Sequence, residues 1–206
     1  MLYQDFKDYL ARFVWRDGDT VFESELDNLI LLGESRLNRD LRIQRMSNTA
    51  YLSVLGQSVS LPSDYLEMRV VTTDMLPSPL TYVAPHELER VRSRDPKRFQ
   101  PIFTVAGNQI RLAGADSTEN RELVLTYYAK LPHFKDLGGS SWLADEYLDL
   151  YTYAVLRHTA SYLKDDERVI LWQNEYAEAL TAVMEAEVRS RYAGSPLSVR
   201  LPGAVA

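Results

Sequence analysis

Ser141 to Tyr192 reads SWLADEYLDLYTYAVLRHTASYLKDDERVILWQNEYAEALTAVMEAEVRSRY. Leu143, Tyr147, Leu150, Tyr151, Ala154, Leu156 and Tyr162 recur at steps of three and four, which gives an apolar face to a helix predicted over about Trp142 to Leu163. Val169, Trp172, Tyr176, Leu180, Val183, Met184 and Val188 repeat the pattern in a second helix. Only Lys164-Asp165-Asp166-Glu167 separates the two. A link that short forces the second helix to return antiparallel along the first.

Working outward, the N-terminal stretch supplies two more helices. Leu2, Phe6, Tyr9, Leu10 and Phe13 share a face of a short helix within Met1 to Trp15, and Arg16-Asp17-Gly18-Asp19-Thr20 breaks it. Phe22, Leu26, Leu29, Ile30, Leu37 and Leu41 carry a longer helix from about Val21 to Leu41. Arg36, Arg39, Arg42 and Arg45 fall every third residue near its end, where cations favour the helix dipole. They read either as a solvated face balanced by Glu34 and Asp40 or as a docking stripe for an acidic partner or DNA phosphates.

From Thr49 the hydrophobic period changes to two. Tyr51 to Leu55 and Ser58 to Leu61, around Gly56-Gln57, read as a hairpin, and Leu66 to Thr73 as another strand. Pro85 opens a short helix, His86 to Arg94, that Asp95-Pro96 stops. Phe99 to Val105, Gln109 to Leu112 beyond a Gly107-Asn108 turn, and Glu122 to Ala129 give three more strands. Short connections predict antiparallel pairing rather than any βαβ arrangement. The expected fold class is α+β, mainly α: an antiparallel bundle of about four helices from residues 1–48 and 131–192, with a β-rich insert at 49–130 between the second and third long helices. Residues 193–206, with Pro196, Pro202, Gly194 and Gly203, form a tail. Within it Leu197, Val199, Leu201 and Val205 alternate with smaller or polar residues and Arg200 is the only charge, a pattern suited to an extended segment on a groove or sheet edge.

Composition narrows the chemistry. The 206 residues, 46% of them hydrophobic, suffice for a real core. With no cysteine there is no disulfide framework, thiolate nucleophile or cysteine zinc site. A net charge of −6 argues against a general nucleic-acid coat, though not against a local basic patch such as Arg36 to Arg45 or Arg90, Arg92, Arg94, Lys97 and Arg98. No apolar run approaches a membrane span, and Asp5, Lys7, Asp8 and Arg12 rule out a signal or transit peptide at the start. His86, His133 and His158 stand in no metal-ligand spacing. Asp145-Glu146 and Asp165-Asp166-Glu167 sit at a helix start and a helix link, where carboxylates serve the dipole and the turn rather than acid/base chemistry. Gly138-Gly139-Ser140-Ser141 lacks the lysine of a phosphate loop and reads as a flexible lead-in with a serine cap. No catalytic, cofactor or metal site is expected.

The order of four short motifs carries a resemblance. Leu61-Pro62-Ser63-Asp64-Tyr65 opens the β-rich part, Leu125-Thr126-Tyr127-Tyr128 closes it, and Trp142-Leu143 with Tyr147-Leu148, then Tyr153-Ala154, mark the helix that follows. In that layout the chain resembles the head-to-tail adaptor (connector) proteins of tailed bacteriophages, with an insert closer in size to the podovirus adaptors. The resemblance implies a virion protein at the head-tail interface, assembled in the host cytoplasm. It implies a homo-oligomeric ring, usually of twelve copies, that docks under the portal protein, extends the channel for double-stranded DNA and presents a platform to the distal tail (nozzle or hub) protein. Such a ring has no active site, no cofactor, no membrane contact and no sequence-specific grip on the DNA. A C-terminal extension onto the portal recurs in these adaptors, which points to Leu197, Val199, Arg200, Leu201 and Val205 as portal-binding residues. The competing reading is a helical DNA-binding protein using the Arg36 to Arg45 and Arg90 to Arg98 stretches.

Overall fold

The computed structural model describes residues 1–73, 78–94, 101–114 and 120–192. Along them run α1 (Tyr3–Phe13), α2 (Thr20–Asp40), β1 (Ser47–Leu55), β2 (Ser58–Ser60), β3 (Tyr65–Thr73), β4 (Thr81–Tyr82), α3 (Pro85–Arg94), β5 (Ile102–Ala106), β6 (Gln109–Ala113), β7 (Asn120–Ala129), α4 (Trp142–Glu146), α5 (Leu148–Leu163) and α6 (Asp166–Tyr192). The chain is thus a mixture of helices and sheets, and it divides into two compact units. One comprises the described residues of Met1–Ile43 with Pro132–Ala206, the other those of Gln44–Leu131.

The first unit is helical. Asp19 starts α2 by accepting hydrogen bonds from the backbone N–H of Val21 and Phe22, both at 3.2 Å, which satisfies donors that a helix start leaves unpaired. Phe22, Leu26, Leu29, Ile30 and Leu37 make its buried face. α5 is the central helix, because Leu150, Tyr151, Ala154, Val155 and Leu156 are all essentially inaccessible to solvent. Each side chain of leucine size buried in this way contributes roughly 1.5–3 kcal/mol. Phe6 of α1 packs on Tyr151 with ring centroids 4.6 Å apart. Trp172, Tyr176, Ala179 and Val183 turn the inner face of α6 toward the same core.

The helix expected from Trp142 to Leu163 is interrupted. Tyr147 adopts φ −132° and ψ 53°, outside the α region, and separates α4 from α5. Its carbonyl still accepts from Tyr151 N–H at 3.1 Å, so α5 starts on it, and its ring packs edge-on against Trp142 at 6.4 Å. The link to α6 is tight. Lys164 takes a left-handed conformation with φ 56°, Asp165 N–H reaches back to Ala160 O at 3.0 Å, and the Asp165 carboxylate then caps α6 through Arg168 N–H.

The second unit holds two sheets, ordered β1-β7-β3 and β2-β6-β5-β4. Val54, Val71, Leu123, Leu125 and Tyr127 from the first and Phe103, Ile110 and Leu112 from the second form one apolar core. α3 packs Leu88 against Ile102 and Ala113. Two sequence expectations are corrected. Tyr51–Leu55 and Ser58–Leu61 do not pair as a hairpin: β1 pairs along its length with β7, and β2 pairs with β6. Gly56, with φ 97°, lets the chain leave one sheet for the other at that point. Pairing is also not wholly antiparallel, because β4 and β5 are parallel and α3 bridges them in a small βαβ unit. The Gly107-Asn108 turn does join β5 to β6 antiparallel, with Ala106 opposite Gln109 and Gly107 at φ 62°.

Two of the recurring motifs meet in this unit. The Tyr127 hydroxyl donates to Asp64 Oδ1 at 2.8 Å, the Tyr127 and Tyr65 rings stack at 5.9 Å, and Lys130 N–H donates to Asp64 O at 2.7 Å. Burial first, and then Asp64, push the Tyr127 phenol up to about 12. The Leu-Pro-Ser-Asp-Tyr and Leu-Thr-Tyr-Tyr words are the two halves of one clip.

Candidate functional site

Titratable groups tie the elements of the helical unit together. Glu34 is 3% exposed, yet it accepts from the Tyr151 hydroxyl at 2.6 Å and from Phe134 N–H at 2.8 Å, and His133 Nδ1 lies 2.7 Å from its other oxygen. The sequence reading placed Glu34 on a solvated face beside the arginines. That is corrected: it is a buried acceptor tying α2, α5 and the segment before α4 together. Nearby, Asp27 accepts from the Tyr3 hydroxyl at 2.9 Å and pairs with Lys7 and Lys135, each at 2.7 Å. Burial pushes the Asp27 carboxyl up, but the hydrogen bonds from Lys135, Lys7 and Tyr3 outweigh it and hold the group well below the usual carboxylate range. Burial and the Glu34 charge raise the Tyr151 phenol far above its ordinary value.

His86 belongs to the second unit, and His133 and His158 to the first. His86 and His133 are exposed on different elements, and His158 on α5 is half-buried. Burial, then Arg157, Arg39 and Arg36, lower the pKa of His158. Among the described residues no group of three or more His, Cys, Asp or Glu is placed to hold a metal ion, and no helix is long and apolar enough to cross a membrane.

The basic residues separate. α2 ends at Asp40, so only Arg36 and Arg39 lie on it. Arg36 pairs with Asp40, Nε to Oδ2 at 2.5 Å, and Arg39 is exposed. Arg42 folds back to donate to Asn38 O at 2.9 Å and Leu41 O at 2.6 Å, closing the helix end. Arg45 is exposed in a short 3-10 turn, Gln44–Met46, that belongs to the second unit. On α3, Arg90 pairs with Glu87 at 2.5 Å, and Arg92 donates to Leu112 O at 2.8 Å while pairing with Glu89 at 3.1 Å. Arg94 is exposed, and Lys97 and Arg98 lie outside the described residues. Arg36, Arg90 and Arg92 therefore carry neighbouring carboxylates, which weakens the case for a DNA-phosphate stripe. Leu197, Val199, Arg200, Leu201 and Val205 also lie outside the described residues.

Sequence reasoning missed the most exposed aromatic residue among those described. Trp15 is 88% exposed. It follows α1 with φ 59°, its N–H donating to Arg12 O at 3.1 Å while Arg16 N–H donates to Ala11 O at 2.9 Å. That pair of bonds is a Schellman C-cap, whose left-handed position glycine normally fills. A tryptophan there costs about 1–3 kcal/mol of backbone strain. The signal available in the sequence was a tryptophan standing immediately before the Arg16-Asp17-Gly18 break. Beside it runs a groove. Phe13, Trp15, Tyr153, Leu171 and Trp172 line one stretch, and Tyr9, Leu148 and Thr152 the next, with Phe13 and Tyr153 common to both. Asp145, Glu146, Asp149 and Glu175 border it, and Arg168 lies over the Trp172 ring at 6.0 Å. Aromatic side chains rimmed by charges are the composition of protein-binding surfaces.

No curated protein matches the chain. A family model described as the SU10 adaptor protein matches residues 1–200, nearly the whole of it. The chain belongs to the SU10 adaptor protein family and is a phage head-to-tail adaptor protein.

Proposed function

We propose that copies of this chain form a ring, of twelve subunits, that docks under the portal, extends the DNA channel and presents a platform to the next tail component, a nozzle or hub protein. The match to the adaptor family over residues 1–200 carries this reading. It is a structural role without catalysis or cofactor, exercised in the virion after assembly in the host cytoplasm. In it α1, α2, α5 and α6 act as one antiparallel four-helix bundle and the residues from about 49 to 130 as a β-rich insert. The DNA passes through the lumen without sequence-specific contact. Arg39 and Arg45, the exposed members of the arginine series, are assigned to subunit or portal contacts, and Leu197, Val199, Arg200, Leu201 and Val205 to an extended segment that lies on the portal and holds it through main-chain hydrogen bonds and alternate side chains.

The test is electron microscopy of portal-bearing capsids incubated with the purified protein. A ring of added density at the portal vertex supports the reading. Capsids that stay bare at saturating protein overturn it.

A further inference from the structure

α6 outruns its partner. It has 27 residues and α5 has 16, so at 1.5 Å per residue its far end passes α5 by roughly 16 Å. On that end Leu180, Met184 and Val188 recur at i, i+4 and i+8, an apolar strip flanked by Arg189 and Glu185. Leu180 and Met184 are half-buried and Val188 is 50% exposed, so their own unit leaves the strip only partly covered. The last turn carries Arg189 and Arg191, of which Arg191 pairs with Glu187 at 3.1 Å, so Arg189 is the cation beside the strip.

The aromatic groove beside Trp15 has the converse character. Asp145, Glu146, Asp149 and Glu175 give its rim four carboxylates, of which Asp145 pairs with the Met1 amine, against the single guanidinium of Arg168, and Phe13, Tyr153 and Trp172 line it. An apolar helix strip with Arg189 at its edge fits an apolar groove with an acidic rim. Both surfaces stand on every copy. We propose that the projecting end of α6 from one copy docks in the Trp15 groove of a second copy, with Trp15 closing over the strip.

Two different surfaces meet in such a contact, so a pair keeps one groove and one helix end unused and can add another copy on either side. This deepens the ring and rests on the adaptor reading for its setting. It also gives a use to a tryptophan at a position where glycine fits better: the left-handed cap directs the side chain outward, where it is 88% exposed.

The full chain is tested by sedimentation velocity over a range of concentrations. Wild type is expected to associate. Trp15→Ala, which removes the groove's lid, and Val188→Glu, which charges the strip, are each expected to weaken association more than about tenfold. Mixed together, those two variants are expected to form a one-to-one pair and nothing larger, since one intact groove then meets one intact strip. Arg189→Glu is expected to weaken association, and Asp149→Arg to restore it. Trp15→Gly relieves the backbone at the cap and serves as the control against misfolding. A wild type that stays monomeric, a Trp15→Ala or Trp15→Gly protein that associates like wild type, or a mixture that fails to pair overturns the proposal. Capsid attachment separates the two readings. A protein that associates through this groove but leaves portal-bearing capsids bare defeats the adaptor role alone. A Trp15→Ala protein that still assembles on the portal defeats the docking contact alone.

Discussion

Gly33 of α2 rests directly on Val155 of α5: a methyl group at position 33 would stand 2.8 Å from Val155 Cγ2 and 3.2 Å from its Cα and N. Two helices touch there almost backbone to backbone. In an exposed helix, glycine to alanine gains about 1 kcal/mol of helix propensity. Here the forced separation costs about 1–3 kcal/mol, so Gly33→Ala should lower stability on balance. Urea unfolding checks the sign, and Val155→Ala in the same chain should recover only part of the loss, because the Cα and N contacts remain.

Tyr151 and Glu34 lock the same pair of helices by a different means. Tyr151→Phe keeps the ring and removes a donor to a buried carboxylate, so it should cost about 1.5–3 kcal/mol. Denaturant midpoints of the two proteins, with equal slopes, measure it.

Asp27 supplies a pH dependence with a definite sign. Its folded pKa is held below the usual range by Lys135, Lys7 and Tyr3 against the opposing effect of burial. The stability it contributes is complete above its unfolded value, about 3.9, and is lost as pH falls toward the depressed folded value. Asp27→Asn should therefore be less stable than wild type at pH 5, and the gap should shrink steadily on acidification below about pH 4. Urea midpoints across that window test it, and a constant gap refutes the assignment.

Trp15 separates the needs of the monomer from those of the assembly. Trp15→Gly removes an 88% exposed side chain and the strain at φ 59°, so the isolated protein should gain about 1 kcal/mol. A gain in thermal midpoint together with weaker self-association is the expected outcome. Trp172→Ala behaves oppositely. That side chain is 5% exposed, and its loss should cost about 3–5 kcal/mol.

For the portal-binding assignment, deletion of residues 193–206 should leave the stability of the remaining protein within about 0.5 kcal/mol of wild type and reduce attachment to portal-bearing capsids. Attachment is scored by co-sedimentation with the particles.

Periodicity made most elements legible and few of their partners. The apolar spacing from Phe22 to Leu37 located α2 and the spacing from Trp172 to Val183 located α6, because a face that must be buried repeats at 3.6 residues. The same rule marked β1 and β2 but joined them wrongly. Alternation says that a segment is a strand, while β1's partner, β7, lies far along the chain and leaves no local trace. The break at Tyr147 was hidden because its residues kept the helical spacing on both sides. Glu34 was misplaced since nothing local in the sequence tells a buried carboxylate with three partners from a solvated one. Trp15 was read as the last residue of an apolar helix, and its left-handed backbone, which turns it outward, is a property that propensity assigns to glycine.

The strand order β1-β7-β3 bears on synthesis. β7 is the last strand made, yet it lies between the first and the third. Until residue 129 has left the ribosome, β1 and β3 have no central strand to pair with, and α2 waits longer still for α5. At about 5–20 residues per second of translation, two open strand edges and an uncovered helix face remain available to other nascent chains for several seconds. Polysomes making many copies of one virion protein side by side are where that interval matters most, so yield in the host should respond more to the rate of elongation through β7 and α5 than to the stability of the finished chain.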